Sequence, residues 1–333
     1  MAPKIAYDAS SKSLLTPAKD AVFFQGWTPE DFSRDDHGLL CAEMSRLAYA
    51  PPAVIRDVLH RIEFTVHGRI GGEDLEERTE SLGTDGFVAH SPQRDLTVLA
   101  FRGTESGKPE DLILDGATLQ QANSRGFLVH RGFAAGWDSV RDRTTHLLGR
   151  RRGKLLVTGH SLGAAIATLA ALDTKPDALI TFGSPLIGND KLGALLSSRL
   201  KLCRRYVNCC DLIARVPPEQ VDREHVGNLL SELTPVDKLG PLGSLVQGAL
   251  GTTTSVVTSV LHVAHLDPHF QHICSPCYAD RTGKLRPGIS TEDRLKDQDT
   301  ARQAYRRTPG SAALRDLADH APINYVSIFT GRK

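Results

Sequence analysis

Residues 154–169 most constrain how this chain can fold, because a short apolar segment runs through a Gly-His-Ser-Leu-Gly pentapeptide into an alanine-rich segment. The first part predicts a buried strand and the last part a helix, so the pentapeptide lies at a sharp strand-to-helix turn. A serine at such a turn has a strained backbone, and small neighbours are needed to leave room for it. The context predicts that Ser161 is a nucleophile, in a turn completed by Gly159, His160 and Gly163.

The pattern on either side of this turn predicts a mostly parallel α/β sheet. Apolar segments of strand length alternate with amphipathic segments of helix length up to about residue 218, which is typical of parallel strands joined by helices. The predicted strands are 87–89, 96–101, 155–158, 178–182 and 203–209, and the predicted helices are 39–49, 140–148 and 164–173. Ligands of such sheets bind beyond the carboxyl ends of the strands, which is where the pattern places Ser161.

A serine nucleophile needs a histidine to take its proton and a carboxylate to orient that histidine. In this kind of sheet the acid follows the serine in the chain and precedes the histidine. Asp211 comes directly after the predicted strand that ends near residue 210, where such an acid is required. Asp173, Asp177 and Asp190 are the alternatives.

The order of residues does not select the histidine. His320 lies after a predicted helix and before a predicted final strand, in a loop that could reach the serine. Five more histidines downstream of Asp211 meet the same requirement, namely His225, His262, His265, His269 and His272. On the residues alone the choice among these histidines stays open.

The bulk composition predicts an ordinary globular protein rather than a nucleic-acid binder. The 40 Lys and Arg residues balance 39 Asp and Glu residues, so no net charge attracts a polyanion. Charges are scattered through residues 1–20, so this stretch does not resemble a secretory signal. We expect a cytoplasmic protein, or one exported without a cleaved N-terminal signal, and no transmembrane segment. The six cysteines form no typical disulfide framework and are predicted to be buried free thiols.

The predicted domain organisation is an N-terminal extension over residues 1–37 and a single domain over residues 38–333 with an insertion at about 219–311. Within the insertion, residues 239–266 contain no Asp, Glu, Lys or Arg, and apolar residues recur there at helical spacing. A packed cover helix is the favoured interpretation, and a mobile flap that binds an interface is the alternative. The segment is too weakly apolar for a membrane span to be favoured.

A run near residue 270 contains side chains that suit zinc. His269, His272, Cys274 and Cys277 supply the ligand types, but their spacing is too compressed for paired zinc knuckles and no second pair follows. A loop without metal is the favoured interpretation, and we predict no metal and no cofactor.

Four segments in sequence resemble the class 3 lipases. They are residues 99–105, 129–133, 159–163 and 181–189. Residues 207–218 are similar to the acid loop of that family. Asp319 and His320, with Tyr325, are similar to its terminal histidine motif.

The resemblance implies an α/β-hydrolase fold with Ser161, Asp211 and His320 as the catalytic triad. It implies that Thr104 and the backbone N–H of Leu162 form the oxyanion hole. The position of the family's lid falls at residues 106–115, which are few and contain no tryptophan. Arg102 is expected to be a buried ion-pair partner rather than a catalytic group.

The implied function is hydrolysis of carboxylic esters of lipids through an acyl-enzyme. A phospholipase A1 or acyl-lipid hydrolase is the alternative enzyme, and a catalytically silent scaffold is the alternative of another class. The expected partners are a lipid or small ester substrate and, transiently, a lipid interface. No nucleic acid and no obligate protein partner are expected.

Overall fold

The computed structural model of the chain describes Leu14 and residues 35–71, 83–103, 120–149, 151, 153–211, 213–215, 270–304 and 318–330. Its strands are β1 Thr65–Ile70, β2 Gly86–Ser91, β3 Leu96–Phe101, β4 Gln120–Ala122, β5 Leu128–His130, β6 Lys154–His160, β7 Ala178–Phe182, β8 Leu202–Asn208 and β9 Pro276–Ala279. Its helices are α1 Asp35–Leu47, α2 Pro52–Arg61, α3 Arg131–Leu148, α4 Leu162–Thr174, α5 Asp190–Arg199, α6 Thr291–Gln303 and α7 Pro322–Thr330.

Within the described part of the chain, seven strands form the main sheet in the order β1-β2-β3-β6-β7-β8-β9. The pairs β1–β2 and β2–β3 are antiparallel, and every pair from β3 to β9 is parallel. The short strands β4 and β5 form a separate antiparallel pair. The carboxyl ends of five parallel strands therefore meet at one edge of the sheet.

Helices cover both faces of this sheet because its strands are apolar on both sides. In β3, Leu96, Val98 and Ala100 face one core, which α1, α2 and α7 cover. Leu99 and Phe101 face a second core, which α3, α4 and α5 cover. The alternation follows from the two-residue period of a strand. A mostly parallel sheet between two helical layers confirms the predicted α/β class and the mostly parallel central sheet flanked by helices.

Helix α4 lies close to the sheet because its inner face is built from small residues. Ala164, Ala165, Ala167 and Ala170 have no exposed surface. Short side chains allow the helix axis to approach the strands, so the first turn of α4 is held against the carboxyl end of β6. This packing fixes the direction in which the start of α4 points.

The strands and helices predicted between residues 87 and 209 are confirmed, with shifted ends in several cases. Helix α3 is longer than predicted, since it begins at Arg131 rather than at residue 140. His130 caps it, because the His130 side chain accepts a hydrogen bond from the backbone N–H of Phe133. The two glycines in its first turns obscure the helical pattern.

One prediction about the C-terminal part of the chain is wrong. The final strand predicted after His320 is helix α7, because Pro322 opens the helix and Tyr325, Val326 and Ile328 bury one helical face. Strand β9 lies within the span 219–311 that is predicted as an insertion, and it pairs with β8 in the main sheet. Among the described helices, none is long and apolar enough to cross a bilayer.

Candidate active site

Ser161 lies at the sharp turn between β6 and α4, as the sequence predicts. Its backbone has φ 59° and ψ −129°, which a non-glycine residue adopts only where the surroundings enforce it. The neighbouring glycines are needed for space: a Cβ on Gly159 would overlap the backbone of Gly163, and one on Gly163 would lie 2.5 Å from the carbonyl oxygen of Phe101. The Ser161 N–H donates to the carbonyl of Phe182 on the neighbouring strand. The turn is thereby fixed against the sheet.

Asp211 and His320 form a hydrogen-bonded pair at the same edge of the sheet. Nδ1 of His320 lies 2.9 Å from both carboxylate oxygens of Asp211. Oδ1 of Asp211 also accepts from the N–H groups of Ile213 and Ala214, and Oδ2 accepts from the hydroxyl of Tyr325. The carboxylate is therefore held on both oxygens.

The environment of Asp211 keeps it ionised although it is buried. Burial by itself raises the pKa of a carboxyl, but the charge of His320 and the hydrogen bonds from His320 and Tyr325 outweigh that effect. The net result is a pKa of Asp211 below its ordinary value of 3.8. An ionised acid at this place fixes the N–H of His320 on Nδ1 and leaves Nε2 to accept a proton.

Two further hydrogen bonds join the acid loop to the residues just before His320. The side-chain amide of Asn208 donates to the carbonyl of Asp319 at 2.9 Å, and the N–H of Cys210 donates to the carboxylate of Asp319 at 3.0 Å. These contacts hold the residue before His320 to the residues before Asp211. The segment that carries His320 is thus tied to the segment that carries Asp211.

Gly183 places the pair beside the nucleophile. It directly follows Phe182, whose carbonyl holds Ser161, and it has φ 56°. A Cβ there would lie 2.7 Å from Oδ2 of Asp211 and 3.0 Å from Nδ1 of His320. The Asp211–His320 pair therefore lies beside the residue after Phe182, at the same carboxyl end of β7 that holds the backbone of Ser161.

One of the two predicted oxyanion donors lies in the described structure. Leu162 is the first residue of α4, and the first backbone N–H groups of a helix have no partner within the helix. Thr104 lies outside the described residues, but Gly103, which precedes it, is next to the nucleophile: its Cβ would lie 3.1 Å from Cβ of Ser161. The N–H of Gly103 donates to the hydroxyl of Tyr49.

Arg102 pairs with Asp85 at 3.3 Å, as expected.

His160 makes contacts that the sequence does not predict. Its Nδ1 lies 2.9 Å from the hydroxyl of Tyr49, and its Nε2 lies 2.7 Å from the backbone carbonyl of His320. Burial, together with the charge of His320, lowers the pKa of His160 to about 3. The ring is therefore neutral at ordinary pH. The Gly-His-Ser pattern singles out His160 only as part of the turn, and no local signal identifies Tyr49.

The competing acids lie away from this edge. Asp177 accepts from the N–H of Leu155, near the amino end of β6, and Asp173 lies near the carboxyl end of α4, the end remote from Ser161. Asp190 is the first residue of α5. None of the three is a hydrogen-bond partner of His320 among the described contacts.

Of the five alternatives to His320 as the catalytic histidine, one lies in the described part of the chain and four lie outside it. His272 is half-buried in the segment before β9, where desolvation of its ring lowers its pKa well below 6.5. Four histidines lie outside the described residues, as does the segment 239–266. They are His225, His262, His265 and His269.

The prediction that all six cysteines are free thiols is wrong. Cys203 and Cys274 form a disulfide, with their Cα atoms 5.9 Å apart. The pair forms because the segment before β9 runs beside β8, an arrangement that the sequence spacing does not show. Cys274 is thereby excluded as a zinc ligand. The remaining cysteines, Cys41, Cys209, Cys210 and Cys277, are outside disulfides.

Comparison with known proteins identifies relatives of the central part of the chain. The lipase of Rhizopus niveus is 29% identical over 160 residues, which is 43% of this chain and 40% of that protein. Phospholipase A(1) DAD1, chloroplastic, of Arabidopsis thaliana is 36% identical over 132 residues, 34% of this chain and 29% of that protein. Secreted mono- and diacylglycerol lipase A of Penicillium cyclopium is 33% identical over 156 residues, 43% of this chain and 50% of that protein.

These alignments span at most half of each relative's own length. The solved structure of lipase II from Rhizopus niveus matches with a TM-score of 0.47 and 23% identity, covering 55% of this chain and 74% of that chain. The model of the family "Lipase (class 3)" matches residues 98–221, which include the strand-to-helix turn and Asp211. Over this segment, which is less than half of the chain, the protein is similar to the class 3 lipases.

Proposed function

We propose that this protein is a serine hydrolase that cleaves carboxylic esters of lipids. The observation that carries the proposal is the pairing of Asp211 with His320 beside the strained turn that holds Ser161. Each of these side chains is ordinary alone, but an ionised buried acid, a histidine oriented through Nδ1 and a serine at an enforced turn together match the requirements of nucleophilic acyl transfer.

The first half of the reaction forms an acyl-enzyme. Nε2 of His320 takes the proton of the Ser161 hydroxyl while Oγ forms a bond to the ester carbonyl carbon, whose oxygen becomes an oxyanion. The N–H groups of Leu162 and Thr104 donate to that oxyanion, supported by the positive end of α4. As the intermediate collapses, the bond to the alkoxy oxygen breaks and His320 gives its proton to the departing alcohol.

The second half releases the acid. His320 takes a proton from water, the hydroxide oxygen attacks the acyl carbon, and the tetrahedral intermediate breaks the bond to Oγ of Ser161. His320 returns the proton to Ser161. Throughout, Asp211 stays ionised and stabilises the positive charge on His320, as its lowered pKa requires.

Ser161→Ala tests the assignment directly. We expect the variant to lose about 10⁴-fold or more in kcat for nitrophenyl esters, because the three residues act as a unit. Ser198→Ala, which removes an exposed hydroxyl on α5 bonded to its own helix, is the matched control and should match the unsubstituted protein. Undiminished hydrolysis by Ser161→Ala would end the proposal. A fluorophosphonate should label the unsubstituted protein on Ser161.

The substrate is the finer part of the proposal. Relatives named as lipases of acylglycerols and one named as a phospholipase A(1) support a lipid ester, with acylglycerols as the first candidate and phospholipids as the second. Hydrolysis of emulsified acylglycerol should exceed release of fatty acid from phospholipid vesicles. The reverse ranking would favour the phospholipase. Hydrolysis confined to short dissolved esters would favour an esterase.

The disulfide supports a location in an oxidising compartment. Disulfides persist in secreted and periplasmic proteins and are rare in the cytosol. Of the two locations predicted from the sequence, the Cys203–Cys274 bond favours export. Alkylation of the protein in its native cells before lysis, followed by mass analysis, should show this pair protected from the reagent. Complete alkylation of both cysteines would favour the cytoplasm.

A further inference from the structure

The hydroxyl of Tyr49 lies between two backbone segments of the candidate site. Tyr49 follows the end of α1 and is partly exposed. Its oxygen is 3.1 Å from the backbone nitrogen of Gly103 and 2.9 Å from Nδ1 of His160. Gly103 precedes the predicted oxyanion donor Thr104, and His160 precedes the nucleophile. One hydroxyl group thus connects the segment before the oxyanion hole to the turn that carries Ser161.

The chemistry of the donors fixes the direction of every bond in this connection. The N–H of Gly103 can only donate, so the Tyr49 oxygen accepts it and the Tyr49 proton is available for Nδ1 of His160. The carbonyl of His320 can only accept, so Nε2 of His160 carries the proton of the neutral ring and donates at 2.7 Å. The chain of bonds therefore runs from Gly103 through Tyr49 and His160 to His320.

The charge states of the two side chains agree with this direction. Burial raises the pKa of Tyr49 above its ordinary value of 10, so the hydroxyl keeps its proton. Burial lowers the pKa of His160 to about 3, so the ring has one acceptor and one donor nitrogen at neutral pH. Neither group needs to ionise for the chain of bonds to hold.

The fit around Gly103 is tight. A Cβ at this position would overlap the Tyr49 hydroxyl and would lie 2.9 Å from the carbonyl oxygen of His160. The backbone of Gly103 is therefore packed tightly between Tyr49 and the nucleophile turn that carries His160 and Ser161. Without the Tyr49 hydroxyl, the N–H of Gly103 would lose its hydrogen-bond partner. The Gly103 backbone would also lose the contact that fixes its distance from the nucleophile turn.

We propose that Tyr49 is a positioning residue that sets the backbone of Gly103, the residue before the predicted oxyanion donor Thr104, against the nucleophile turn and the segment that ends at His320. The inference rests on the proposed function. Oxyanion donors act only when they are held where charge develops in the transition state, so an error in their placement lowers kcat more than it changes substrate binding. A tyrosine that merely filled space would not show this selectivity.

Tyr49→Phe tests the inference because it keeps the ring and removes the hydroxyl. Losing an oxyanion donor costs about 10²–10³ in kcat, so its displacement should lower kcat by about 10- to 100-fold and change KM by less than about threefold. A boronic acid, which forms a tetrahedral adduct with the serine, should bind more weakly by a similar factor. Rates are expressed per site titrated by a fluorophosphonate, so unfolded protein does not contribute.

Tyr206→Phe is the matched control. Tyr206 is a buried tyrosine of β8 whose hydroxyl accepts from Arg204, and this substitution should leave kcat and boronic acid binding close to those of the unsubstituted protein. If Tyr49→Phe retains both, Tyr49 has no positioning role and the proposed function still stands. An equal loss in both variants would also overturn the inference, because it would indicate a general effect on packing. If the unsubstituted protein shows no Ser161-dependent hydrolysis, the proposed function fails and the inference fails with it.

Discussion

His130 offers a quantitative test of how burial controls charge in this protein. It precedes α3, its Nδ1 accepts from the N–H of Phe133 at 3.4 Å, and its ring lies against Phe133 with 4.2 Å between centroids. Its exposed fraction is 6%. Burial lowers the pKa of His130 from 6.5 to about 4. The folded protein therefore holds this imidazole neutral under conditions where the unfolded chain protonates it.

The sign of the resulting pH dependence follows from that difference. Above about pH 6.5 the imidazole is neutral in both states, so its titration does not affect stability. As the pH falls below 6.5, only the unfolded state gains a proton, and the folded state is destabilised until the pH reaches about 4. At about pH 5 the loss from this one group is about 2 kcal/mol. Buried carboxylates such as Asp211 have lowered pKa values, so their effect falls at lower pH.

His130→Asn isolates this contribution. Asparagine is a preferred N-cap residue, so it can keep the hydrogen bond to Phe133, but it does not ionise. We expect the free energy of unfolding to fall between about pH 7.5 and pH 5 by about 2 kcal/mol less in the variant than in the unsubstituted protein. His160 and His272 are present in both proteins, so their contributions cancel.

Urea unfolding with the disulfide kept intact measures this difference. Between about pH 7.5 and pH 8.5 the two proteins should differ by a constant amount, since the imidazole is neutral in both states there. This range is the internal control. If the two stability curves stay parallel down to pH 5, His130 is not held neutral by burial and the reasoning is wrong.

Two further variants test the site and the disulfide. Gly183→Ala should lower kcat for nitrophenyl esters at least about tenfold, because its Cβ would meet Asp211 and His320 and its φ is positive; an unchanged kcat would show that the pair tolerates displacement. Replacing both Cys203 and Cys274 with Ser should lower the free energy of unfolding by up to about 4 kcal/mol, from their separation of 71 residues. Reductant should lower the free energy of unfolding of the unsubstituted protein to the same extent and leave that of the double variant unchanged. If reductant does not affect the unsubstituted protein, the Cys203–Cys274 disulfide does not form.

The central sheet was predictable because its signals are local. Strand β7 was predicted at its observed bounds, since an apolar run between turn residues is sufficient to identify a buried strand. Strand β9 was missed because its four residues carry no such run and are recognisable only from their pairing with β8. Helix α7 was predicted as a strand because β-branched and aromatic residues dominate it, and packing on α1 overrides that preference.

The candidate site divides in the same way between local and nonlocal signals. The turn that carries Ser161 is specified by its own neighbours, and Asp211 follows from the rule that parallel strands end at one edge. On the residues alone His320 is one of several equivalent histidines, and only the family resemblance selects it, because its contact with Asp211 joins residues 109 positions apart. Tyr49 is 111 residues from His160 in sequence, so their contact exists only in the folded chain.

The contacts of Tyr49 make helix α1 part of both the apolar core and the candidate site. Ser161, Asp211 and His320 follow β6, follow β8 and precede α7, whereas Tyr49 follows α1, much earlier in the chain. Helix α1 packs on both β6 and α7, so the same contacts that bury its apolar face bring Tyr49 to the nucleophile turn. Because core packing and active-site placement share α1, substitutions that shift this helix should lower kcat before they unfold the protein.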